Sequence, residues 1–186
     1  MHGPPITIQV EPFGEIEVPE QAIFNFPAGL PGFPSAHRFA FVRHQEYLPF
    51  IWMVALDEPD LAFVVVEPAA FFPKYKPRLS PEDADALGLS SHVRAVLYCI
   101  VTVPRDPREA TVNLRAPVTL NLSRHLGRQA ILASQDYQTR EPLFGARPQD
   151  DSKTDAGRPG AENASQGRRE LVAGADAETQ PEHHHR

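Results

Sequence analysis

The segment Phe50 to Val66, FIWMVALDEPDLAFVVV, decides the fold class. Two runs rich in β-branched and aromatic residues, 50–56 and 62–66, flank Asp57-Glu58-Pro59-Asp60. Acidic residues around a proline are what a tight connection between two strands uses. The same carboxylates suggest a carboxylate pair or a calcium loop, yet neither a glycine nor a distal bidentate glutamate follows at the spacing such a loop needs. The turn reading is kept.

Outward from this hairpin, alternating apolar residues and β-branched enrichment mark further strands near 6–10, 14–18, 22–26, 38–42, 93–103, 111–114, 118–122 and 129–133. Turn residues separate them at the interval typical of a closed or sandwiched antiparallel sheet. Twenty prolines, about twice the usual share, fit short strands joined by fixed turns better than long helices. One helix is marked: Ser80 caps, Pro81 takes the first helical position, Glu82 and Asp83 favour the positive end, and Gly88 closes it. Its apolar residues Ala84, Leu87 and Leu89 either plug one end of a barrel or serve a surface crossover. The expectation is a mainly all-β chain, an antiparallel β-barrel-like single domain with one short helix.

Beyond Gly145 the composition turns to Ala, Gly, Asp, Glu, Gln and Arg, with Leu171 and Val172 the only sizeable aliphatics. Such a segment cannot offset the entropy cost of ordering its backbone. Residues 1–5 are therefore expected to be a flexible N-terminus, 6–144 the domain, and 145–186 a disordered acidic and polar tail. His183, His184 and His185 on that tail receive no function.

The formal charge of −6 and the lack of a basic run argue against direct nucleic-acid binding and favour a basic partner. Cys99 is the only cysteine, so the chain can form neither an internal disulfide nor a Cys-based zinc site. Its neighbours Tyr98 and Ile100 indicate a buried thiol and a reducing, cytoplasmic home. Apolar runs such as Leu61 to Val66 are too short to cross a membrane, and none is expected as a partner.

No glycine-rich phosphate loop, His-Glu-x-x-His pair, Cys-x-x-Cys pair or Gly-x-Ser-x-Gly elbow occurs. His37, His44, His92 and His125 are scattered and are taken as surface or edge residues, leaving no catalytic, cofactor or metal site to assign. Asn113 and Asn121 either point into a recognition face or bond turn backbone. In Phe71-Phe72-Pro73-Lys74-Tyr75, consecutive phenylalanines on an extended segment point to opposite sides, so one ring is expected outside as a partner anchor. The other reading is a folded-over loop that packs both.

Three stretches together resemble the flagellar assembly factor FliW family. They are Phe26-Pro27-Ala28-Gly29-Leu30-Pro31-Gly32-Phe33; Pro59 to Pro68 continuing to Tyr75; and Thr102-Val103-Pro104-Arg105-Asp106-Pro107 with Ala110 to Val118 and Gly127-Arg128-Gln129. Gly29 and Gly32 around Pro31 supply a turn with unusual backbone angles, and Pro104 with Pro107 fixes a corner. The resemblance implies a non-enzymatic β-barrel-like protein that binds flagellin and the RNA-binding translational repressor CsrA in turn. Holding CsrA would relieve repression of flagellin synthesis, and free flagellin would take the protein away. Phe71, Phe72 and Tyr75 are the expected aromatic anchor, with Asp60 and Glu67 as acidic contacts. A small-ligand-binding or enzymatic barrel is the alternative, and it requires a deep polar-lined cavity.

Overall fold

The computed structural model describes residues 5–145 apart from Pro12, Pro59, Ser91 and Arg94. The start of the expected N-terminus, the tail beyond Gly145 and its three terminal histidines lie outside the described residues. Strands β1 (Ile6–Val10) and β2 (Gly14–Val18) form a separate hairpin. Then β3 (Ile23–Asn25), β4 (Arg38–Arg43), β5 (Phe50–Ala55) and β6 (Ala62–Val66) run as an antiparallel meander. Helix α1 (Pro81–Leu87) leads to β7 (Val96–Thr102), β8 (Thr111–Val112), β9 (Val118–Asn121), β10 (Leu126–Gln129) and β11 (Glu141–Pro142).

The first half of β7 pairs with β9 and the second half with β8, which in turn carries β11. The β9–β10 hairpin then meets β3, closing a seven-stranded barrel through the parallel match of Leu126 with Asn25. The Asn25 amide donates to the His125 carbonyl at that seam, 2.8 Å away. The sheet is thus antiparallel except where it closes.

Inward-facing Phe24, Phe26, Phe39, Ile51, Met53, Val65, Tyr98, Val118 and Leu120 form one cluster and fill the barrel axis with side chains. The ligand-barrel alternative asked for a polar-lined cavity there. The opposite pleat carries two outer clusters. Ile8, Val10, Phe13 and Ile16 of the hairpin cover Trp52, Val54 and Val64. Residues 71–75 and 137–143 cover Val66, Cys99, Val101 and Val112. Because both pleats of β5 and β6 are covered, the runs at 50–56 and 62–66 each read as continuously apolar.

Local corrections have local causes. The strand expected at 129–133 begins three residues earlier. Gly127, which looks like a turn breaker, sits in the ladder because a Cβ there would lie 2.3 Å from the Phe26 ring. Residues 130–132 run beside 115–117 through two hydrogen bonds, Ala130 to Pro117 and Leu132 to Arg115, each 2.9 Å. The strand expected at 111–114 stops at Val112 because the Asn113 side chain accepts from the Arg115 and Ala116 amides. Asn121 does the same for Ser123 and Arg124, so both asparagines bond turn backbone.

Helix α1 has the expected caps: Ser80 Oγ accepts from the Asp83 amide at 3.0 Å, and Gly88 is left-handed at φ 63°. Val118 and Leu120 point inward, so Thr119 and Asn121 face outward, yet both are fully buried. The helix lies over them. Asn121 Nδ2 donates to the Leu87 carbonyl at 2.8 Å, and Arg128 Nε on β10 reaches Asp83 at 2.6 Å. The crossover role, and not the plug, describes it.

Candidate partner-binding surfaces

The expected aromatic anchor begins where β6 ends. A 3-10 turn at Pro68–Ala70 reverses the chain, and the Phe72 amide returns to the Pro68 carbonyl at 2.7 Å. That reversal folds the segment back, so Phe71, Phe72 and Tyr75 are all half-buried against the cluster around Cys99 and Val112. The folded-over reading holds for both phenylalanines, and neither ring is free. Tyr75 donates its hydroxyl to the Leu114 carbonyl at 2.7 Å and packs edge-on to Tyr137 at 4.7 Å. Burial raises its phenol pKa, and burial pushes the nearby Cys99 thiol up to about 12. These two groups hold structure.

Phe144 is the ring this face presents to solvent, 54% exposed and 6.2 Å from Phe71. No local pattern marks it, since it adjoins the expected domain end. Exposed Lys74, Lys76 and Arg78 flank the aromatics, so the loop is basic and not acidic. Glu67 is engaged by Arg43, whose Nη2 donates to its carboxylate and to the Tyr98 hydroxyl, each at 2.8 Å. Asp60 sits in the β5–β6 turn at φ 64°, at the far end of β6, about 20 Å away by strand rise. The structure brings the three aromatics together, places Glu67 beside them and leaves Asp60 apart.

A second surface lies on the hairpin. Its tip residue Phe13 enters a box of His44, Tyr47 and Trp52, with centroids 4.9, 5.4 and 4.7 Å away. Tyr47 and Leu48 beside this box are exposed at 42% and 54%. On the opposite face, β1 and β2 turn Thr7, Gln9, Glu15 and Glu17 to solvent, with Glu11 at the turn. Among the described residues no ion pair involves Glu11, Glu15 or Glu17.

The histidines do not converge. His37 and His125 each place Nδ1 near a backbone carbonyl, of Phe26 at 3.0 Å and Ile23 at 3.1 Å, and His44 stacks on Phe13. Among the described residues, no three His, Cys, Asp or Glu side chains are grouped to hold a metal ion, and no helix is long and apolar enough to cross a membrane.

A family model described as FliW protein matches residues 7–143. The flagellar assembly factor FliW of Carboxydothermus hydrogenoformans is 39% identical over 145 residues, covering 78% of this chain and 92% of that protein. Its namesake in Natranaerobius thermophilus is 41% identical over 133 residues, covering 71% and 88%. A crystal structure of the flagellar assembly factor FliW superposes with a TM-score of 0.69 at 33% identity, covering 75% of this chain and 98% of that one.

Proposed function

The chain belongs to the FliW protein family, and from that premise we propose that it is a flagellar assembly factor acting by exchange between two protein partners. The partners are flagellin and the translational repressor CsrA. While the protein holds CsrA, flagellin synthesis is released from repression; when free flagellin accumulates, it takes the protein away and repression returns. The setting is the cytoplasm and the role is non-catalytic.

The observation that carries this reading is the extent of the family match, which runs over the hairpin, the closed barrel and β11 together. Two features support a binding role. The barrel axis is occupied by side chains, so recognition falls to the outside. The outside offers an aromatic face, with Phe144 exposed beside Phe71, and with Phe72 and Tyr75 packed on the same cluster as Phe71. Aromatic groups of this kind concentrate binding energy at low entropic cost. In this arrangement Phe144 makes the contact beside half-buried Phe71, while Phe72 and Tyr75 support the cluster on which that face rests, Glu67 lies at the margin, and Asp60 belongs to a different part of the surface.

The test is titration calorimetry of the full chain against CsrA and, separately, flagellin from the same organism, followed by competition. Micromolar or tighter binding to each, with flagellin displacing CsrA, is the expected result. Failure to bind either partner overturns the reading.

A further inference from the structure

The hairpin β1–β2 is a sheet of its own, and its position creates an unfilled edge. Among the described residues each strand pairs only with the other, and no backbone hydrogen bond joins residues 15–18 to anything else. Half the amide and carbonyl groups along each strand therefore point away from its partner, as in any edge strand. A two-stranded hairpin is marginal on its own. Here Ile8, Val10, Phe13 and Ile16 seat it on the barrel, so the open edge is presented in a fixed place.

The charge beside that edge has one sign. Residues 1–37 contain Glu11, Glu15, Glu17 and Glu20 and no lysine or arginine, the first cation in the chain being Arg38. Glu15 and Glu17 stand on the outward face of β2 itself. A strand added along β2 would place alternate side chains about 5 Å from these glutamates, while the intervening ones lie toward the apolar Ile16 side. A second copy of the hairpin would set glutamates against glutamates, and nucleic acid would bring phosphates to them. An extended segment with lysine or arginine at alternate positions satisfies the backbone edge and the charges together.

We propose that the free edge of β2 is the docking site for an extended basic segment of the protein's partner, bound by strand addition and held in register by Glu15 and Glu17. This rests on the partner-exchange reading above and assigns a surface to its basic member.

The test compares wild-type full chain with Glu15→Gln/Glu17→Gln and with the charge-matched control Asp60→Asn/Asp85→Asn. All are titrated with CsrA at low and high salt, and amide exchange of residues 15–18 is followed with and without it. The hairpin variant is expected to keep the wild-type melting temperature, to lose about fivefold in affinity at low salt and to show a weaker salt dependence. The control should match wild type. In the wild-type complex, exchange at residues 15–18 should slow. Binding by wild type with no change in the hairpin variant, an equal loss in the control, or unaltered exchange in β2 each overturns the assignment and leaves the exchange function standing. A wild-type chain that does not bind CsrA overturns both.

Discussion

Cys99 shows how one buried side chain sets a response of the whole fold. Its thiol is fully buried, next to Tyr75, and burial raises its pKa from 9.0 to about 12. In the unfolded chain the proton leaves near the ordinary value, so between pH 9 and 12 the folded form holds more protons and stability falls as pH rises. The loss is at most about 1.4 kcal/mol per pH unit from this group, and the phenols of Tyr75 and Tyr98, also raised by burial, add with the same sign. Urea unfolding at pH 8 and pH 10.5 should show the decline, and Cys99→Ala should flatten it. Burial of Cys99 was legible from its apolar neighbours. The work of Tyr75 was not, because its acceptor is the carbonyl of Leu114, 39 residues away, and no local pattern announces a backbone acceptor at that range. Asn113 and Asn121 were legible as turn residues because Asx bonding is local.

Among elements, α1 was the best marked, since capping chemistry is written in adjacent residues: Ser80 and Gly88 do what their types predict. Its placement depended on a contact between residues 45 apart, Asp83 and Arg128. Asp83 is 8% exposed and also accepts from the Ser80 hydroxyl, so removing its cation leaves a carboxylate in a dry site. Arg128→Met is expected to cost about 2 kcal/mol, and Asp83→Asn combined with it should cost less than the sum of the two, a coupling of about 1 kcal/mol in a double-mutant cycle. Simple additivity would show that the pair does not hold the helix. The misplacement of β10 has the opposite lesson. Gly127 breaks a strand pattern by its identity, and only the Phe26 ring, at the end of the neighbouring β3, explains why glycine continues the ladder.

At the scale of the molecule, strand count and spacing pointed to a closed or sandwiched antiparallel sheet and the family resemblance to a barrel, but neither told how it closes. The parallel seam between β3 and β10 joins residues about a hundred positions apart and leaves no periodic trace. The same holds for the aromatic face: composition gave Phe71, Phe72 and Tyr75, whereas the exposed partner Phe144 arrives from the last strand's end. Because the ladder among the described residues ends at Pro142 and the family match at residue 143, deleting residues 146–186 is expected to shift the melting temperature by less than about 2 °C. A larger fall in differential scanning calorimetry would count against a domain that ends there.

The seating of the hairpin on Trp52 has an optical consequence. The chain has a single tryptophan, and its ring lies under Phe13 with an indole N–H that meets no acceptor among the described residues. Its emission reports one place only. If the hairpin lifts, water reaches that N–H and the spectrum moves to the red. The protein thus carries its own gauge of whether its first two strands are docked, readable without any added label.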